Sequence, residues 1–153
     1  ASEPSTESAS LAVLQRELGQ VLEAAAQTST SSSLALTEPP TIVLAGHHND
    51  GKSALLEALI GVRLTHVGAS VSTRRPLRVH LQHDETCAEP EIYLLRDGGA
   101  GEEQVPAAEV RLYVEAENAR LAHIGEVEAS EIQVRMRWNR APNVVIIDTP
   151  GLL

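Results

Sequence analysis

There is no phenylalanine in this chain of 153 residues, and aromatics of any kind make up 2% of it. A core must therefore be assembled from Leu, Val, Ile and Ala, and a hydrophobic content of 42% is enough for one domain. Cysteine is scarcer still. Cys87 stands alone, which excludes an internal disulfide and is compatible with a reducing compartment. Positive charge is also short: 12 Lys and Arg against 21 Asp and Glu leave a net charge of −9. That balance argues against a sequence-independent grip on nucleic acid and against an electrostatic hold on anionic lipid by this segment. No apolar run approaches the ~18 residues that a membrane span takes, and no signal-peptide pattern opens the chain.

What is present gathers around one stretch, Gly46-His47-His48-Asn49-Asp50-Gly51-Lys52-Ser53. It fits G-x-x-x-x-G-K-[ST], the spacing of a phosphate-binding loop. An apolar run, Thr41 to Ala45, leads into it and a helical pattern, Ser53 to Ile60, leads out. Strand, loop and helix are the context that separates such a loop from a glycine turn that happens to precede a helix. The glycines let successive N–H groups point inward as an anion nest. The new helix adds its unpaired N–H groups. Lys52 adds a full charge, and Ser53 offers a hydroxyl oxygen to Mg²⁺.

Taken in order, residues 1–9 are Ser, Glu, Thr, Ala and Pro and read as disordered. Leu11, Leu14, Leu18, Val21 and Ala25 recur at helical spacing and predict an amphipathic helix over 10–27. Its stripe fits packing on this domain or on helices from another part of a longer chain. Residues 28–40 read as a linker, Ser/Thr-rich at first and extended at Pro39-Pro40. The helix after the loop ends at Gly61, a C-cap. Residues 62–76 have no period and predict a long loop over the ligand. Strands follow at Leu77-Val79-Leu81 and Ile92–Arg96, then a turn at Asp97–Gly101. Pro106 opens a helix over 106–122 on which Glu117 falls oddly on the apolar face, within reach of Arg74 or Arg75. Glu131–Trp138 alternates without error and reads as a half-exposed strand with antiparallel neighbours.

Val144–Ile147 shows no alternation, as in a central parallel strand buried on both faces. It ends in Asp148-Thr149-Pro150-Gly151. Two buried strands that each end in a polar, glycine-containing loop predict a doubly wound α/β sheet, with ligands beyond the strands' carboxyl ends. That placement sets Asp148 near Mg²⁺ through a water, Gly151 near a terminal phosphate, and Thr73 in the metal shell from the long loop. His80, His83 and Cys87 also have the spacing H-x₂-H-x₃-C. The two histidines share no strand face, and a structural zinc wants a fourth ligand.

Together, Gly46 to Ser53, Thr73-Arg74-Arg75-Pro76, Val114-Glu115-Ala116-Glu117-Asn118 and Asp148 to Gly151 resemble the dynamin superfamily of large GTPases. The likeness runs over 41–153. His66-Val67-Gly68 and Tyr113 to Leu121 look like its plastid-division branch in plants and algae. The resemblance implies an α/β, P-loop GTPase-type doubly wound sheet, of which 41–153 is the N-terminal part, preceded by a bundle helix at 10–27. It implies GTP as substrate with Mg²⁺, self-assembly, and fission of an organelle membrane. The expected location is the cytosolic face of the plastid outer envelope, and in plants also peroxisomes.

Carried over by position, Gly46, Asn49, Asp50, Gly51, Lys52, Ser53, Asp148 and Gly151 hold the nucleotide. Ser53, Thr73 and Asp148 serve the metal. Lys52, Thr73, His48 and Asn49 serve hydrolysis, with water positioned by Thr73 and nearby backbone. Family members commonly carry Gln then Ser or Thr where this chain has His48 and Asn49. A monovalent cation held by two loop glycines stays open, since Gly68 remains and Ser70 replaces the other. The first residue is not Met and the guanine-reading motif is expected beyond Leu153, so both ends read as cut. Another P-loop nucleotidase, or a catalytically incomplete binding fragment, is the alternative.

Overall fold

The computed structural model describes residues 16–17, 19–21, 23–24, 38–47, 50–65, 73–96 and 101–151. Within them lie strands β1 (Thr41–Leu44), β2 (Leu77–His83), β3 (Glu91–Leu95), β4 (Glu102–Gln104), β5 (Ile132–Trp138) and β6 (Val144–Asp148), and helices α1 (Lys52–Ile60) and α2 (Ala107–Ile124). The strands form one six-stranded sheet in the order β1-β6-β2-β5-β3-β4. β1 runs parallel to β6, and β2 parallel to β5. β2 runs antiparallel to β6, and β3 antiparallel to both β4 and β5. This is a mixed α/β sheet.

The helix expected over 10–27 is represented by helical backbone at 16–17, 19–21 and 23–24, where Val21 is 54% exposed. Leu11, Leu14, Leu18 and Ala25 lie outside the described residues, as do the 1–9 segment and most of the 28–40 linker.

Register decides what faces the helices. Leu77, Val79 and Leu81 on β2 stand opposite Asp148, Ile146 and Val144 on β6 and opposite Ile132, Val134 and Met136 on β5. Residues directly opposite one another share a face, so these side chains make one apolar surface interrupted by a single carboxylate, Asp148. Leu56 and Ile60 of α1 and Val110 and Val114 of α2 join that surface in one core cluster. Fully burying one such side chain is worth about 1.5–3 kcal/mol, which is how a core without phenylalanine holds.

The opposite face is polar and explains the alternation read in β2 and β5. Arg78 Nε donates to Glu131 at 2.7 Å. Arg135 is gripped by Glu102 and lies over the Tyr93 ring, 4.3 Å from its centre. Arg137 binds Asp84, whose carboxyl is held far below its ordinary range by the Thr86 hydroxyl first and by Arg137 next.

Two expectations need correction. β5 was expected to have antiparallel neighbours, yet it is parallel to β2 and antiparallel to β3. Alternation reports one wet face and says nothing about the direction of the neighbours. Burial was expected of both apolar strands, and on both faces of β6. It holds for β6, where Val144, Val145 and Ile146 are all buried. It fails for β1, which pairs with β6 alone among the described strands and leaves Val43 54% exposed.

Candidate functional site

Because β1 and β6 are parallel, their carboxyl ends lie side by side, with Leu44 opposite Asp148. Because β2 is antiparallel to β6, its amino end arrives at the same place, with Leu77 opposite Asp148. Three segments far apart in sequence therefore converge: the loop after β1, the segment before β2, and the loop after β6. Thr149 ties two of them together by donating its hydroxyl to the Leu44 carbonyl at 2.6 Å.

The loop after β1 is shaped by its glycines. A Cβ on Gly46 would meet Asp50 Oδ2 at 2.8 Å, because the Asp50 carboxylate folds back to accept the His47 N–H at 2.7 Å. Gly51 has φ +82°, a left-handed conformation that L side chains avoid. Among the described residues no side chain caps the start of α1, which leaves its first N–H groups for another acceptor. Lys52 Nζ donates to the carbonyls of Gly46 at 3.2 Å and His47 at 2.9 Å. An ammonium has three donors, so it can brace this loop and hold an anion together.

Below the loop, Ser53 Oγ donates to Asp148 Oδ2 at 2.6 Å and lies 3.4 Å from Thr73 Oγ1. A serine hydroxyl has one proton. With that proton on Asp148, the Thr73 hydroxyl is the donor of the longer contact. Asp148 is buried, and its Oδ1 has no hydrogen-bond partner among the described residues. Burial raises its carboxyl pKa, opposed by the Ser53 hydrogen bond and then by the charge of Lys52. A hollow of about 40 Å³ is lined by Ser53, Thr73, Asp148, Arg75 and Asn118 among others, which is space for more than one water-sized oxygen.

Of the residues singled out from sequence, Ser53, Thr73 and Asp148 come together, and Gly46, Asp50, Gly51 and Lys52 form the loop above them. Gly151 is half-buried three residues after Asp148. His48 and Asn49 lie outside the described residues, as do Gly68 and Ser70. His80 and Cys87 do not gather with His83, whose Nδ1 is 3.1 Å from the Ala141 carbonyl. Among the described residues no group of three His, Cys, Asp or Glu could hold a metal.

Glu117 does reach an arginine: Arg75 donates to it at 2.9 Å, and Arg75 is 1% exposed. Sequence reasoning gave Asn118 no role, yet it is buried and its Oδ1 accepts the backbone N–H groups of Arg74 at 2.7 Å and Arg75 at 3.2 Å. Its signal was an amide on the helix face that otherwise carries Val110, Val114 and Leu121.

Residues 42–153 match the model of the Dynamin family. The chain is 39% identical over 119 residues to Dynamin-like protein ARC5 of Arabidopsis thaliana, covering 76% of this chain and 15% of that protein. It is 33% identical over 119 residues to Dynamin-related protein 5A of the same plant, covering 74% of this chain and 14% of that protein. To Dynamin-related protein 3A it is 30% identical over 141 residues, covering 83% and 16%. The chain thus spans about a seventh of the length of these curated relatives. The matched region contains the loop, the Thr73 segment and the Asp148 strand whose ends meet in one place, and the chain belongs to the dynamin family.

Proposed function

We propose that this chain forms the phosphate- and metal-binding part of a dynamin-type GTPase that binds GTP with Mg²⁺ and hydrolyses it. The observation that carries the reading is the convergence of Ser53, Thr73 and Asp148 under the Lys52 loop. Its sheet is then the N-terminal part of a doubly wound GTPase sheet.

The donor set suits Mg²⁺, a hard cation that takes oxygen ligands, keeps several waters and uses one or two carboxylates plus phosphate. Two hydroxyls and one carboxylate with an unpartnered buried oxygen fit that description. Bound there, the cation would neutralise charge building on the phosphate oxygens. The chain's own residues do the rest. The loop N–H groups and the start of α1 orient the phosphates, Lys52 supplies charge, and Asp148 keeps the Ser53 hydroxyl turned toward the metal position. Thr73 orients the attacking water, and the Gly151 N–H approaches the terminal phosphate. By the resemblance, Asn49 and Asp50 contact the nucleotide, and His48 and Asn49 serve its hydrolysis.

In the whole protein this reading extends to self-assembly and to fission of a plastid or peroxisomal membrane from its cytosolic face. The likeness to a plant dynamin-like protein supports it. No helix of the described residues is long and apolar enough to cross a membrane. Calorimetric titration of the full-length gene product with GTP and with ATP, each with and without Mg²⁺, tests the reading. Magnesium-dependent binding of GTP and its hydrolysis to GDP and phosphate are expected. Preference for ATP would make it another P-loop nucleotidase, and no binding of either would end the proposal.

Asp148→Asn separates stability from function. A carboxyl whose folded pKa is raised gives stability that is present below its unfolded pKa and lost as pH rises through the folded value. At neutral pH the buried charge therefore costs stability, and Asp148→Asn is expected to raise the nucleotide-free melting midpoint by roughly 2–4 °C for each kcal/mol recovered. The same variant should lose the magnesium dependence of nucleotide affinity. In the unmodified protein that affinity should weaken as pH falls toward the raised pKa, because protons and metal compete for one carboxylate. Thermal melts and titrations across pH check both halves.

A further inference from the structure

We infer that Asn118 is the positioning residue for Thr73, a role that rests on the nucleotide reading above. The segment 73–76 carries the Thr73 hydroxyl into the site, and Asn118 holds that segment by main chain alone. Its Oδ1 accepts two consecutive N–H groups, from Arg74 at 2.7 Å and Arg75 at 3.2 Å. Each N–H lies in a rigid peptide plane. The plane of the Arg74 N–H includes the Thr73 Cα, and the next plane shares the Arg74 Cα. One oxygen that binds both fixes the backbone at Arg74 and with it the position of Thr73 Cα.

The Asn118 amide is itself locked. Its Nδ2 donates to the Val114 carbonyl one helical turn back at 3.0 Å. Donors stand on one side and a carbonyl on the other, so only one orientation of the amide satisfies all three contacts. The residue is 6% exposed, so water does not compete for these bonds.

The surroundings close the same joint from the other side. Arg75 Nε donates to the Ser130 carbonyl at 2.9 Å, while its Nη1 donates to Glu117 Oε2 at 2.9 Å. The Glu128 N–H donates to the Arg74 carbonyl at 3.0 Å, and the Ile132 N–H to the Pro76 carbonyl at 2.8 Å. Those contacts fix residues 74–76 after the Thr73 plane. Asn118 alone among them reaches the peptide that carries Thr73. Interior asparagine is poor for a helix, and here it occupies a core-facing position of α2 where an apolar residue would pack without needing partners.

The test uses the full-length protein and three readouts. Asn118→Ala is expected to lower GTP turnover by about 10- to 100-fold, the scale of a misplacement near 1 Å, while affinity for a non-hydrolysable GTP analogue with Mg²⁺ changes by less than about threefold. In a Thr73→Ala background the same change should cost nothing further in turnover, because a residue acting through Thr73 has nothing left to place. Additive losses would overturn the inference. Asn118→Asp keeps the acceptor for Arg74 and Arg75 but sets a carboxyl oxygen against the Val114 carbonyl, so it should recover part of the turnover lost in Asn118→Ala. Equal loss in a folded Asn118→Asp protein would also overturn it, and this variant decides the matter if Asn118→Ala does not fold. Residue-resolved amide exchange in the nucleotide-free protein gives an arm independent of GTP: Arg74 and Arg75 should exchange faster in Asn118→Ala than in the unmodified protein. Unchanged exchange sinks the inference even if GTP is hydrolysed normally. A protein that binds no nucleotide but shows the exchange change sinks the functional reading and leaves the joint standing.

Discussion

Lys52→Ala is expected to abolish measurable binding of Mg²⁺-GTP by the full-length protein, with a Kd raised about a thousandfold. A charge pair a few Å apart at an effective dielectric near 20 is worth about 4 kcal/mol, and each 1.4 kcal/mol is tenfold in Kd. The helix terminus beside it offers only about 0.3–1 kcal/mol, so the lost ammonium cannot be replaced by the nest. A second loss adds to the first. Lys52 Nζ also donates to the Gly46 and His47 carbonyls, and those contacts hold the loop's curl. Lys52→Arg keeps the charge but presents a flat fork in place of a compact ammonium, so it should recover only part of the affinity. Calorimetry on both variants separates the two effects, and an affinity unchanged in Lys52→Ala would remove this loop from nucleotide binding. The fold should survive either substitution, since Lys52 is only half-buried and no core residue packs through it.

A contrast between contiguous and assembled features explains how much of the site is legible in the sequence. The loop from Gly46 to Ser53 was legible because its chemistry lies in eight consecutive residues flanked by a strand and a helix. The meeting of Ser53 with Asp148 was legible at one remove. Two apolar strands that each end in a polar loop place those ends together if the strands are parallel, and β1 and β6 are. Thr73 was legible only as a hydroxyl at the end of a loop over the ligand, and the resemblance gave it its role in hydrolysis, because nothing in residues 62–76 has a period. The exposure of Val43 was not legible, since an apolar run shows that a strand can be covered and not what covers it. The direction of β5 was not legible for a related reason: period-two patterning is the same in parallel and antiparallel strands. Asn118 escaped because its partners are backbone N–H groups more than forty residues away, and any residue type except proline would have supplied those. What the sequence did carry was the anomaly of polar side chains on the buried side of α2. Glu117 stands out there on its own, while Asn118, one position further, enters only as the end of the resembling run Val114 to Asn118.

Thr73→Ala separates binding from chemistry at this site. Thr73 is half-buried, its Oγ1 lies 3.4 Å from Ser53 Oγ, and it lines the hollow below Asp148. Loss of one hydroxyl leaves the Lys52 loop, the start of α1, Ser53 and Asp148 in place. Such a contact is worth about 1 kcal/mol net, so Kd for a non-hydrolysable analogue should rise by less than about tenfold. Turnover is different. Phosphoryl transfer leaves little covalent work for the protein, so its rate depends on placing the attacking water and on stabilising charge that appears only in the transition state. Removing one preorganised group of that kind costs about a hundred- to a thousandfold in kcat. The expected result is a protein that binds Mg²⁺-GTP nearly as before and releases phosphate at least a hundredfold more slowly in a single-turnover assay. Thr73→Ser keeps the hydroxyl and loses a methyl, so it should retain most of the rate. Normal turnover in Thr73→Ala would take this residue out of the chemistry and leave Asn118 with nothing to position.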